Sequence, residues 1–141
     1  MDGGGDDRLG RKQLQHDQGE RCRLRPEHRY LARLPPAPIP GRHWHTAIWS
    51  GTQMVVWGGH SYRTEKPLGD GAAFDLRGEQ WEVLPPAPIQ PRCQHSAVWT
   101  GVHMVIYGGH DACGSGGHIP FGDGATYDPG TRTWARLNPA G

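Results

Sequence analysis

Nowhere does this 141-residue chain carry an uninterrupted apolar run of the about 20 residues needed to cross a bilayer. No apolar stretch in its leading segment could serve as a secretory signal. No segment is long enough for a periodic helix, which argues against an α-helical fold. Charge of one sign is missing too. The formal net charge is +1, and basic residues beyond the first 30 stand singly, so nothing resembles the electrostatic footprint of a nucleic-acid binder. The glycine-rich opening and the two GDG stretches lack the G-x-x-x-x-G-K spacing of a phosphate loop. Ser115 sits in GSG rather than G-x-S-x-G, which leaves a serine nucleophile unsupported. Three cysteines, Cys22, Cys93 and Cys113, form no CxxC, and any pairing leaves one over; they are expected to be free thiols without a role.

What the chain does have is repetition. Leu34 to His60 is written again, fifty residues later, as Leu84 to His110, with 16 of 27 paired positions identical. GDGAAFDLRGEQWEVL (Gly69 to Leu84) returns as GDGATYDPGTRTWARL (Gly122 to Leu137), now 53 residues on. The three extra residues lie in the segment after the double glycine, eight residues from Ser61 to Leu68 against eleven from Asp111 to Phe121. A period of about 50 residues, rich in short strands and glycine, marks a propeller blade.

Each copy reads as four strands. His45, Ala47 and Trp49 alternate with Thr46, Ile48 and Ser50, the period of a strand. Gly51 and Gly101 mark turns. Met54 to Trp57 and Met104 to Tyr107 are apolar throughout, as a strand buried on both faces would be. Phe74 and Tyr127 fall on a third strand, with Asp75 and Asp128 placed to bond forward and start a turn. Trp81 and Trp134 fall on a fourth. Strands are expected near residues 44–50, 54–58, 71–75 and 80–84, then 94–100, 104–108, 124–128 and 133–137. Aligned on Leu34 and Leu137, residues 23–34 also match the last strand of a blade, with Leu31 in place of the tryptophan.

At these residues the chain resembles the kelch-repeat family, its bacterial members most. The resemblance rests on Arg42 with His45, Arg92 with His95, the double glycines Gly58-Gly59 and Gly108-Gly109, the aromatics Phe74 and Tyr127, and Trp81 and Trp134. The implied fold is all-β: two four-stranded antiparallel kelch blades, a partial β-propeller, behind a disordered N-terminal segment. Residues 1–30 form that disordered or degenerate segment, holding 13 of the 29 charged residues; residues 31–83 are the first repeat and 84–141 the second. The family places the first strand of each blade along a central channel and packs the aromatic and tryptophan between strands and blades. All six tryptophans lie in the repeats and are expected to supply most of the core, with Trp81 buried on Phe74 and Trp134 on Tyr127.

Chemistry is harder to find. Nine histidines invite a metal, but His45/His95 and His60/His110 recur because the blade is duplicated, and no set of companion ligands accompanies them. His45 and His95 are expected to begin the inner strand and bond a backbone carbonyl; His60 and His110 are expected on a rim loop. Arg42 and Arg92 could hold an anion at a channel mouth, though tethering a loop of the next blade is the stronger expectation. Asp70 and Asp123 supply one carboxylate per GDG loop, far short of a calcium site. No cofactor or metal is expected. Arg42, His45, His60, Arg92, His95 and His110 remain as candidate rim or channel residues.

The resemblance implies a non-catalytic module that binds a protein, or a glycan, through rim loops. The alternative is a piece of a kelch-type enzyme, such as a galactose-oxidase-like copper enzyme or a sialic-acid epimerase, but no active-site motif matches. No nucleic acid or membrane partner is expected. Two blades are few for a ring of four to eight. Each would leave an apolar face open, so the chain is expected either to be part of a longer propeller or to assemble with itself, three copies making six blades.

Overall fold

The computed structural model of the chain describes residues 22–24, 31–114 and 119–137. Among them there is no helix, and the strands pair antiparallel throughout.

The unit up to Leu34 holds one hairpin, β1 (Cys22–Leu24) with β2 (Leu31–Arg33). Leu24 lies opposite Leu31. In the repeats the same seven-residue spacing puts Phe74 opposite Trp81 and Tyr127 opposite Trp134. The hairpin thus has the register of the third and fourth strands of a blade, with leucine at both aromatic positions. The rest of the leading segment, expected to be disordered, lies outside the described residues.

The unit from Pro35 holds the two repeats. It opens with β3 (Arg42–His43), followed by β4 (Thr46–Trp49) and β5 (Gln53–Trp57). Two short strands come next, β6 (His60–Ser61) and β7 (Lys66–Pro67), then β8 (Gly71–Asp75) and β9 (Gln80–Val83). The second repeat supplies β10 (Ser96–Trp99), β11 (Met104–Tyr107), β12 (Gly124–Asp128) and β13 (Thr133–Leu137). Blade 1 is the sheet β4-β5-β8-β9 and blade 2 the sheet β10-β11-β12-β13, both in simple up-and-down order. Registers agree position for position: Thr46 faces Trp57 as Ser96 faces Tyr107. All eight expected strands are present within two residues of the expected bounds.

Turn chemistry explains the corners. Gly51 and Gly101 adopt φ of 97° and 101° in matched hairpins, a region costly for a side chain. Asp75 accepts from Arg77 N at 2.9 Å, and Asp128 accepts from Gly130 N at 2.7 Å, the forward bonds foreseen for a turn. The backbone donors of Gly130 and Thr131 hold the Asp128 carboxyl below its usual pKa.

The small sheet β3-β6-β7 was not foreseen, because two-residue strands leave no period to read. Blade 2 reduces it to isolated bridges, Cys93 with His110 and His110 with Pro120, at the matched positions.

The core lies between the blades. Val55, Trp57 and Ala73 of blade 1 cluster with Met104, Ile106, Ala125 and Tyr127 of blade 2, and Leu84 and Ile89 from the connecting segment close it. These come from opposite faces of the two sheets, as stacking in one direction requires. Tryptophan contributes less than expected. Only Trp57 is fully buried; Trp44 and Trp49 are exposed, and Trp81, Trp99 and Trp134 are half-buried. Trp81 and Trp134 do pack on Phe74 and Tyr127, with ring centroids 5.1 and 4.9 Å apart. Each also donates its indole N–H to a linker carbonyl, Pro35 at 2.8 Å and Pro85 at 2.9 Å. That bond holds the indole edge near the sheet margin, so the ring is only partly covered.

Candidate functional site

The double glycine, the arginine and the GDG loop form one device in each repeat. Arg42 is almost wholly buried and spends its donors locally. Its Nε donates to Pro40 O (3.1 Å) and its Nη1 to Gly58 O (3.1 Å) and Asp70 O (3.0 Å). The two terminal nitrogens also grip the Asp70 carboxylate, at 2.8 and 3.1 Å. Arg92 repeats this, with Nε to Gln90 O (3.0 Å), Nη1 to Gly108 O (2.9 Å) and Nη2 against Asp123 Oδ1 (2.8 Å). The Arg92 guanidinium also lies over the Phe121 ring, 4.3 Å from its centroid. The expectation of a tether to the next blade is therefore corrected: each arginine ties the corner of its own repeat. Neither guanidinium is open to an anion in the channel mouth, because a buried arginine holds its charge only with a counter-ion, and Asp70 and Asp123 are those counter-ions. That is also the role of the GDG aspartates, whose partners are visible in the sequence only as residues recurring alongside them.

Gly58 and Gly59 adopt φ of 67° and 101°, and contact supplies a second reason for them. A Cβ on Gly59 would lie 2.7 Å from His43 O, and one on Gly58 would lie 2.6 Å from the His95 ring. His95 belongs to blade 2. It packs edge-on against Trp57 at 5.1 Å and shares a hydrogen bond with Thr46 of blade 1, Nε2 to Oγ1 at 2.7 Å. Its expected carbonyl partner is replaced by this hydroxyl across the junction. Burial, with Arg92 and His45 nearby, lowers its pKa to about 4, so the ring is neutral near pH 7. The backbone joins the blades at the same place: Gly59 N donates to Arg92 O, Arg92 N to Leu68 O and Gln94 N to Trp44 O.

The other histidines scatter by role. His45 is half-buried just before β4, which begins two residues later than the expected 44. His60, expected on a rim loop, is buried in the short strand β6 opposite His43. His110 is half-buried between Cys93 and Pro120. Among the described residues no three His, Cys, Asp or Glu side chains converge as a metal site would require.

The cysteine expectation is overturned. Cys93 and Cys113 are joined by a disulfide with Cα atoms 6.1 Å apart, inside the usual range. Cys93 takes the place of His43, and Cys113 lies in the lengthened segment, so two departures from the repeat meet in space. Spacing alone gave no sign of this, since the fold rather than the sequence brings them together.

A second departure lies in blade 1. Trp44 packs edge-on and Tyr62 tilted against His43, with centroids 4.3 and 3.9 Å from its ring, and His43 in turn meets buried His60 at 5.0 Å. Trp44 is 44% exposed and Tyr62 70%. The matched residues in blade 2 are Cys93, Gln94, His110 and Ala112. Gln94 has the same φ of 55° as Trp44, so the backbone does not call for an aromatic ring there.

No curated protein matches the chain. The KLHDC2/KLHL20/DRC7 Kelch-repeats domain matches residues 24–141, beginning within the hairpin β1–β2 and running through both blades. With its double-glycine corners, paired aromatics and two blades in one register, this chain belongs to the kelch-repeat family.

Proposed function

We propose that the chain is a non-catalytic kelch module, part of a larger propeller, which binds a protein partner through its rim loops. One observation carries the reading. The two repeats keep their strand frame and diverge at two loops, the one before the first blade strand and the one after the double glycine, where blade 1 exposes Trp44 and Tyr62 on a histidine base and blade 2 does not. Exposed tryptophan and tyrosine dominate the energetics of protein interfaces, and exposed Arg63 stands beside them. A rigid two-χ ring also loses little conformational entropy when it is covered. The buried arginines and histidines act as the scaffold that fixes these loops.

The test is a peptide-display selection on the folded chain, with a glycan array in parallel. Replacing Trp44 and Tyr62 with alanine should weaken the selected binder at least about thirtyfold, the cost of losing a hot spot of about 2 kcal/mol. Binding that survives both replacements would place the interface elsewhere. Sugar binding lost in the same variant would assign the patch to a glycan instead.

A further inference from the structure

Cys93 stands between Arg92 and Gln94, and both of these neighbours hold blade 1 through their backbone. Arg92 N donates to Leu68 O at 3.1 Å, and Arg92 O accepts from Gly59 N at 2.9 Å. Gly59 and Leu68 flank the segment that carries Tyr62. Gln94 N donates to the carbonyl of Trp44 itself, at 3.1 Å. We infer that the Cys93–Cys113 bridge is a redox switch for the Trp44–Tyr62 patch, and that it answers to a dithiol reductant. Oxidised, the bridge holds residues 92–94 against blade 1 and fixes the patch; reduced, it releases both. The inference rests on the reading of Trp44 and Tyr62 as a binding surface, and its first test uses no binder.

What holds this segment differs between the repeats. In blade 1 the matched residues Arg42 and His43 form β3, which is laddered to β6 and through it to β7. Ser61 Oγ adds two bonds there, accepting from Arg63 N at 3.2 Å and Thr64 N at 3.3 Å. In blade 2 the ladder shrinks to the bridges of His110 with Cys93 and with Pro120, and the covalent bond stands in its place. Gln94 makes that bond consequential. Its φ of 55° is left-handed, a conformation that a residue with a side chain keeps while its surroundings impose it. Wholly buried Cys93, pinned by the bridge, imposes it from the preceding position. Opening the bridge lets Gln94 relax, which breaks its bond to Trp44 O. Trp44 has the same left-handed φ and so loses a tie at a position that needs one.

The chemistry has a direction. Cys113 keeps 9% exposure and Cys93 none, so the thiolate of the dithiol attacks Cys113 Sγ. The Sγ–Sγ bond breaks, a mixed disulfide forms on Cys113, and Cys93 leaves as a thiolate that takes a proton from water. The second thiolate of the reductant then attacks its own sulfur in the mixed disulfide. Cys113 departs, is protonated in turn, and the reductant is left as a closed disulfide. Two electrons pass from the dithiol to the protein, and an oxidised dithiol runs the steps in reverse. Blade 1 has no such bond at His43, so its own ladder is indifferent to the reductant.

The experiment uses the full chain with Cys22→Ser, so that no third thiol exchanges, and dithiothreitol as the reductant. Amide hydrogen exchange is followed by NMR before and after reduction. The amides of Gly59, Arg92 and Gln94 should exchange at least about tenfold faster in the reduced chain, with those of β4 and β5 unchanged and reoxidation restoring the first rates. Cys113→Ser should show the fast rates from the start and ignore dithiothreitol. Unchanged rates at the three amides would overturn the inference. So would uniform acceleration, or a Cys113→Ser chain that does not fold, since the bridge would then be a staple of the whole fold. The second arm takes a peptide selected on the oxidised chain and lost when Trp44 and Tyr62 are replaced. It should bind the reduced chain about tenfold more weakly, and equal affinity would overturn the control of the patch. If no selected peptide depends on those two residues, the proposed binding surface fails, while the exchange rates still decide the switch.

Discussion

Blade 1 and blade 2 are built from matched residues on matched strands, yet they differ in which residues water reaches. Strand β5 is buried along Val55, Val56 and Trp57, while in β11 only Met104 and Ile106 are buried. The runs Met54 to Trp57 and Met104 to Tyr107 are both wholly apolar, and the expectation of burial on both faces holds for the first alone. The difference lies in the neighbours: blade 1 has blade 2 against one face, and the matched face of blade 2 is open. Burial in a stacked fold is therefore a property of a blade's position in the row as much as of its sequence.

The sharpest way to break this comparison is a pair of truncations. Trp57→Ala removes a fully buried ring at the junction and should cost about 3–5 kcal/mol. Tyr107→Ala, at the matched site, should cost under about 1 kcal/mol, as surface changes do. Equal losses in urea titrations of the two variants would show that the far face of blade 2 is covered after all. Trp134→Ala should fall between them, since its ring is half-buried against Tyr127 and Trp57.

The second difference is covalent. The disulfide closes a loop with a sequence separation of 20 in blade 2 and has no counterpart in blade 1. Reduction, or Cys113→Ser, should lower stability by about 3 kcal/mol on the chain-entropy account. Hydrogen exchange should rise first around Cys93 and His110, with β4 and β5 unchanged. Uniform acceleration across both blades would mean that the bridge holds the junction as well as the loop.

A pH-dependent effect sharpens the junction itself. The folded-state pKa of His95 is about 4 against an ordinary 6.5, so between these values the unfolded chain binds the extra proton. The stability associated with the neutral ring is thus fully present above about pH 6.5 and is lost as pH falls toward 4. The loss should be on the order of 2–3 kcal/mol at the acid end. His95→Gln should flatten that part of the curve in melts run from pH 7.5 to 4. A variant with the parent's acid slope would assign the loss to other groups.

The frame of this fold was legible because it is written twice. Strand positions, hairpin glycines, Asp75 and Asp128 as turn starters and the Phe74/Trp81 and Tyr127/Trp134 contacts all follow from local chemistry that recurs in register. Two kinds of feature escaped. Arg42 with Asp70 and Arg92 with Asp123 are pairs across a loop, and a repeat shows that both members recur without showing that they touch. Cys93 with Cys113, and Trp44 with Tyr62, depart from the repeat, and a departure has no second copy to give its meaning. The over-reading of tryptophan came from counting rings as core when the indole N–H of Trp81 and Trp134 binds a linker carbonyl and draws the ring toward the margin.

The internal closure of the arginine–aspartate pairs has a consequence for how such chains can grow. Each guanidinium finds its counter-charge within the same stretch of about fifty residues, so a duplicated segment arrives with its buried charge already neutralised. Were the pair to span two segments, any gain or loss of one would strand a charge in the interior. A unit whose buried arginine is neutralised from within can be copied, deleted or moved along a gene without stranding that charge in the interior.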